Sequence, residues 1–128
     1  MPYLSGIEIS VDCLYRENHK HIIIPRHKSS KRSETIRFDK DIIEICNLLL
    51  DNFKLKRPCN LQFRYNDNKL YLLEINTRMS GGIQLSCKST GINIPNIAVN
   101  QLLGFEKKIA CNEKTQVVSY VEMPVILE

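Results

Sequence analysis

The sequence predicts an α+β domain with a mostly antiparallel β-sheet and helices packed on one face, and three observations predict it. Two pairs of short runs alternate apolar and polar residues on either side of turn-forming residues, the pattern of antiparallel hairpins. Other segments place apolar residues at helical spacing and are bounded by Asp, Pro or Gly where helices start and stop. No internal repeat or low-complexity stretch divides the 128 residues, so residues 1–128 read as a single domain.

Residues 7–15 alternate, with Ile7, Ile9, Val11, Cys13 and Tyr15 on one face and Glu8, Ser10 and Asp12 on the other, which predicts a half-buried strand. Arg16-Glu17-Asn18-His19 is a turn, and His21-Ile22-Ile23-Ile24 returns as a second strand that Pro25 ends. Asp39 serves as N-cap for a helix running to about Lys54. Ile42, Cys46, Leu49 and Phe53 recur at helical spacing along it, Asp41 suits its positive N-terminus, and Arg57-Pro58 stops it. A second hairpin follows, then a helical turn within 83–90 and a helix over 95–103, with Pro95 in its first turn and Gly104 as its stop. Residues 105–116 form a polar connection, and Val117–Met123 is a last strand cut by Pro124.

The second hairpin is the most informative part of the chain. Leu61, Phe63 and Tyr65 make one apolar face, and Tyr71, Leu73 and Ile75 make that of the partner strand. Paired residues share a face, so 61 pairs with 75, 63 with 73 and 65 with 71. This register needs an odd loop, Asp67-Asn68-Lys69, with Asn68 or Lys69 left-handed. It sets Gln62 opposite Glu74, so Gln62, Glu74 and Asn76 cluster on the polar face, with Arg78 just beyond and Ser80-Gly81-Gly82 after it. Hard oxygen donors of this kind suit Mg²⁺ or Mn²⁺, and an Arg beside them suits a phosphate or carboxylate. The alternative is the solvated face of an edge strand.

These residues resemble the ATP-grasp superfamily, most closely its carbamoyl phosphate synthetase large subunit-like branch. The resemblance rests on Asn60-Leu61-Gln62, Glu74-Ile75-Asn76-Thr77-Arg78, Ser80-Gly81-Gly82, Ser89-Thr90-Gly91 with Ile92-Asn93-Ile94-Pro95, and Gln101-Leu102-Leu103-Gly104. Tyr3 to Asp12 is similar to the strand that closes over the nucleotide. Thr77 replaces the family's usual Pro, and Gln62 stands where many members carry an acid. The resemblance implies the C-terminal lobe of an ATP-grasp fold, with ATP as nucleotide. It implies Gln62, Glu74 and Asn76 as ligands of Mg²⁺ or Mn²⁺, Arg78 as the catalytic cation, and Glu8 as the ribose-binding carboxylate. It also implies that the N-terminal lobe, with its phosphate-binding lysines and adenine hinge, is absent. That lobe is expected in cis or in trans, and Met1 and Glu128 both read as ends of a fragment.

Apolar content of 43% and charged content of 25% are ordinary for a globular domain. There is no apolar run of membrane-spanning length and no basic-then-apolar leader. Five cysteines in no metal-binding spacing read as reduced, mostly buried thiols, and together these features point to the cytoplasm. The net charge of +4 is unevenly placed: residues 16–37 hold seven Lys/Arg against two Glu, with all three histidines. The charge alone leaves three readings open, and the resemblance implies the first, a mobile lid over the ATP phosphates, through Arg26, Lys28, Lys31 or Arg32, disordered over 26–32 without nucleotide. The other readings are a solvated loop and, last, a nucleic-acid patch, which the absence of aromatics disfavours.

Three functions therefore compete. One is an ATP- and Mg²⁺-binding lobe of a carboxylate–amine or related ligase acting through an acyl phosphate, inactive alone. The second is a nucleotide-binding or regulatory module without chemistry, and the third is a basic nucleic-acid-binding domain. A small-molecule carboxylate is the expected substrate. A second copy of the chain is a further partner left open.

Overall fold

Alternation in residues 7–15 forms the central strand of the sheet. In the computed structural model, which describes residues 6–30, 32–105, 108–121 and 124–126, the chain runs β1 (Glu8–Leu14), β2 (Ile22–Lys28), β3 (Ser33–Ile36), α1 (Lys40–Phe53), β4 (Cys59–Asn66), β5 (Lys69–Asn76), α2 (Ile83–Thr90), α3 (Ile94–Leu102) and β6 (Gln116–Ser119). The strands form one six-stranded sheet in the order β5-β4-β1-β2-β3-β6, and every neighbouring pair is antiparallel.

Ile9, Val11 and Cys13 of β1, Ile23 of β2, and Cys59, Leu61 and Phe63 of β4 pack against Ile42, Cys46 and Leu50 of α1. The opposite face carries Leu14, Ile22, Ile24 and Ile36 under Ile92, Ile94 and Ala98, so α3 covers that side. The helices thus occupy both faces, where one face was expected. Ile22-Ile23-Ile24 is the reason: a continuous apolar run points side chains both ways and must be covered twice. Polar residues take over on the second face towards the start of β1, at Asp12, Ser10 and Glu8.

β2 does not end at Pro25 but runs through it to Lys28. The Pro25 carbonyl accepts from Arg37 N–H at 3.4 Å, on the side where the β3 ladder has only begun, with Arg26 opposite Ile36. The missing proline N–H therefore falls at a ladder end and breaks no interior pairing. β3 is a strand that the charged composition of this segment concealed. β6 is shorter than the strand read over Val117–Met123, of which Glu122 and Met123 lie outside the described residues.

The β4–β5 hairpin keeps half of its expected register. Asn60, Leu61 and Gln62 pair with Asn76, Ile75 and Glu74 as predicted. A bulge then intervenes, and Phe63, Arg64 and Tyr65 pair with Leu72, Tyr71 and Leu70 instead of 63 with Leu73 and 65 with Tyr71. The turn has two residues, Asp67 and Asn68, at φ 48° and 59°. Both tolerate the left-handed region, and a turn of this hand matches strand twist better than a three-residue loop. The extra residue therefore moves from the turn into the strand. Leu70 packs against the core in place of Tyr71, which is 40% exposed.

α1 starts after Asp39, whose carboxylate makes no capping bond because Arg37 takes it, at 2.7 and 2.9 Å. α3 has a side-chain cap: Asn96 N–H donates to Asn93 Oδ1 at 3.0 Å. Among the described residues, no helix is long and apolar enough to cross a membrane.

Candidate functional site

Sheet register fixes which polar side chains share a neighbourhood. Glu74 of β5, Gln62 of β4, Ser10 of β1 and Arg26 of β2 lie in one row across four strands, and Asn76, Asn60 and Asp12 form the next row. Ser80, Gly81 and Gly82, between β5 and α2, close one side. The result is a cleft of about 200 Å³ walled by Glu8, Ser10, Arg26, Lys28, Glu34, Asn60, Gln62, Asn76, Arg78 and the Ser80–Gly82 loop.

Beneath the cleft lies a buried network centred on Asp12 and Arg26, 1% and 3% exposed. Asp12 Oδ2 accepts from Arg26 Nε at 3.0 Å and from Ser86 Oγ of α2 at 2.6 Å, and Asp12 Oδ1 accepts from Asn60 Nδ2 at 3.1 Å. Arg26 Nη1 donates to Glu34, and Arg26 Nη2 donates to Ser10 Oγ at 3.1 Å and Ser80 Oγ at 2.9 Å. Burial works to lower the Arg26 pKa, but the charges of Asp12 and then Glu34 outweigh it and push the value up. β1, β2, β3 and the Gly-rich loop are thereby tied to one guanidinium, and Asp12 adds β4 through Asn60 and α2 through Ser86. Gly82 is needed here, since a Cβ on it would lie 2.2 Å from Arg26 Nη1.

The structure brings Glu8, Arg26, Lys28, Gln62, Asn76 and Arg78 to the walls of one cleft. Glu74 is directly opposite Gln62 on the same face, but it stands exposed on the edge strand, outside the cleft walls. Arg26 is not part of a mobile lid: it lies within β2 and is held by four partners. Its charge is stable under the sheet because partners distant in sequence neutralise it. Lys28 is also in β2, with Nζ 3.9 Å from Glu8 Oε2 and the side chain more than half exposed. Arg32 is exposed in the tight turn joining β2 to β3, where Ser29 and Ser30 N–H donate to Ser33 O at 3.1 Å, and it does not wall the cleft. Lys31 lies outside the described residues.

Glu8 accepts from Arg64 Nη2 at 2.9 Å, and Glu34 and Asp12 are bound to Arg26. Among the described residues, none places a cation or donor on the Glu74 carboxylate, so it is the acid of this face left for an incoming group. Nor do any three His, Cys, Asp or Glu side chains gather as a metal cage. One carboxylate with the amide oxygens of Gln62 and Asn76 is a sparse donor set. It fits Mg²⁺ that keeps waters and takes further oxygens from a nucleotide, rather than an ion caged by protein alone. Ser10, Asp12, Glu34 and Asn60 belong to the site as well. The alternation of Glu8, Ser10 and Asp12 was the available sign for two of them.

This arrangement, a Glu-x-Asn-x-Arg strand end on an antiparallel sheet before a small-residue loop, can be set against known proteins. A family model described as "ATP-grasp in the biosynthetic pathway with Ter operon" matches residues 1–124. The chain belongs to this ATP-grasp family. It is 36% identical over 87 residues to the carbamoyl phosphate synthase large chain of Pyrococcus furiosus, covering 68% of this chain and 8% of that protein. The Clostridium botulinum large chain is 38% identical over 72 residues, 52% of this chain and 7% of that one. The ATP-grasp chain thus spans less than a tenth of the length of these relatives. Among solved structures, a biotin carboxylase–β,γ-ATP complex from Campylobacter jejuni matches with a TM-score of 0.69 at 17% identity, over 84% of this chain and 27% of that one. An L-amino acid ligase from Bacillus licheniformis matches at 0.67 and 18%, over 95% and 35%. The fold is therefore part of an ATP-grasp fold.

Proposed function

We propose that this ATP-grasp chain supplies the metal- and phosphate-facing half of a carboxylate–amine ligase, or a related ligase, that acts through an acyl phosphate. The observation that carries the reading is one sheet face, where Gln62 and Asn76 wall a cleft with Arg78 and Lys28 and Glu74 stands beside Gln62 at its edge, with Glu74 unpaired among the described residues and the other acids already engaged. Glu74, Gln62 and Asn76 would hold Mg²⁺ together with nucleotide oxygens. Bound there, the ion would neutralise phosphate charge and favour in-line transfer.

The chain's own side chains have distinct tasks in this scheme. Arg78 hydrogen-bonds only the Met79 carbonyl, at 3.2 Å, among the described residues, so its guanidinium is available to hold charge developing on the transferred phosphoryl group. Lys28, in the cleft wall and largely exposed, neutralises phosphate from the opposite side. Glu8 would receive the ribose hydroxyls, with Arg64 holding its carboxylate in place. The substrate carboxylate attacks the γ-phosphorus and ADP leaves. The nitrogen of the amine then attacks the acyl carbon, phosphate departs, and the amine loses a proton. No protein nucleophile is required.

Half a clamp positions only one side of the nucleotide, and positioning with preorganised charge supplies nearly all the catalysis of phosphoryl transfer. The chain alone is therefore expected to release no detectable ADP. Joined to an ATP-grasp N-terminal lobe, in cis or in trans, it should show Mg²⁺-dependent ADP release that requires a carboxylate acceptor and is abolished by Glu74→Gln or Arg78→Ala. Ligation by residues 1–128 alone would contradict the half-site reading. Metal-dependent nucleotide binding by the completed protein, without ADP release for any carboxylate, would favour a regulatory module.

A further inference from the structure

Across the Ser80–Gly82 loop from the phosphate-facing cleft lies a groove of about 830 Å³. Gly81 and Gly82 wall the cleft, and the next two residues, Ile83 and Gln84, wall the groove, so the two spaces meet at this loop. Tyr120, also in the groove wall, donates its hydroxyl to Gly81 O at 3.3 Å. Gly81 puts no side chain between the two, and even a Cβ there would have nothing within 4 Å. A molecule in the groove is therefore free to extend over the loop towards Arg78. The remaining wall is apolar, from Leu85, Ile92, Pro95 and the Tyr120 ring, and its size and lining match those of small-molecule sites.

Its polar groups among the described residues are few. Asn93 spends its side-chain oxygen on the cap of α3. Gln84 and Lys88 stand one turn apart on the exposed side of α2, and Lys88 is the single charge of the described lining. It pairs with no acid among the described residues, whereas Lys20, Lys28, Lys40 and Lys56 each have one. We infer that the groove holds the acceptor of the proposed ligase and selects one with a second anionic group, an apolar chain bearing a carboxylate at each end. One carboxylate lies over Gly81, facing Arg78 and the transferred phosphoryl group, and the other meets Lys88 with Gln84 beside it. Lys88 is six residues beyond Gly82 along α2, about 9 Å at the helical rise, a span that the extended chain of suberate covers. The role as acceptor rests on the ligase reading, and the binding of a dianion along α2 does not.

The test is methyl and amide NMR on the chain with suberate and its neutral diamide, which share a body and differ in charge. Suberate should shift the methyls of Ile83 and Ile92 and the amides of Gln84 and Lys88. Lys88→Met, which keeps the aliphatic length at an exposed position, should weaken suberate binding about threefold, the usual value of an exposed ion pair, and leave the diamide unchanged. The methyls of Ile9 and Ile94 should report an unchanged fold. No shift at the groove, equal binding of suberate and diamide, or suberate binding that Lys88→Met leaves intact would each overturn the inference. With Mn²⁺·ATP added, the suberate methylenes should broaden in the parent and less in Lys88→Met. Sharp methylenes, or broadening equal in the two proteins, beside broadened amides of Glu74 and Asn76 would overturn the acceptor role alone. If those amides stay sharp as well, the ligase reading fails and the acceptor role with it, while the shifts along α2 still decide what the groove binds.

Discussion

Arg26 and Asp12 are buried ionic side chains, and removing Arg26 leaves Asp12 charged with no counter-ion, whereas Arg26 also has Glu34. Arg26→Met should cost about 3–5 kcal/mol in urea unfolding, and Asp12→Asn in the same background should restore part of it, since the stranded charge is then gone. Gly82→Ala should cost about 1–3 kcal/mol, because the new methyl meets a guanidinium pinned by four partners rather than a side chain free to swing away. His27 lies between Arg37 and Asp39, and its pKa is lowered from 6.5 by burial first and by Arg37 second, against the opposing pull of Asp39. Its unfolded form therefore binds a proton at a higher pH than its folded form. The contribution of neutral His27 to stability is complete above about pH 6.5 and falls as pH drops from there towards the folded value. Unfolding midpoints between pH 7.5 and 5 should decline less steeply for His27→Gln than for the parent. Arg26 was the site residue least legible beforehand. Ser80 is 54 positions away and Asp12 is 14, and nothing local to Pro25-Arg26-His27 tells a buried arginine from one in a lid.

Among the elements, the β4–β5 hairpin carries the site, and its register depends on where one extra residue is placed. The polar pairing of Gln62 with Glu74 could be read from alternation alone, whereas the bulge after Gln62 could not. Turn preference and strand alternation compete, and only the folded hairpin shows that the two-residue turn wins. Since Asn68 has φ 59°, Asn68→Gly should stabilise the domain by about 0.5 kcal/mol, and Asn68→Val should destabilise it by about 1 kcal/mol, both read in thermal unfolding. If both substitutions were neutral, the turn would not set the register. β3 was hidden for a different reason. Ser33–Ile36 is four residues long with one buried apolar side chain, Ile36, so it carries no periodic signal, and its partners in β2, Arg26, His27 and Lys28, are all basic.

At the scale of the whole molecule, the two faces of the sheet divide the labour. One is sealed by α1, and the other is covered by α3 at one end and left polar at the other. The antiparallel α+β class and three helices were legible from periodicity and stop signals. Their distribution over two faces was signalled only by Ile22-Ile23-Ile24. The nucleic-acid reading loses its footing here, because Arg26 and Arg37 of the basic segment are held by acids of the same chain. The central claim is that Glu74, Gln62 and Asn76 face a metal–nucleotide complex. The most direct test is titration of the ¹⁵N-labelled chain with Mn²⁺·ATP, since paramagnetic broadening registers even weak binding. The amides of Gln62, Glu74, Asn76 and Arg78 should broaden first, those of Arg16 to His21 should not, and Glu74→Gln should suppress the effect. Uniform broadening, or broadening at the hairpin that Glu74→Gln leaves unchanged, would contradict the account.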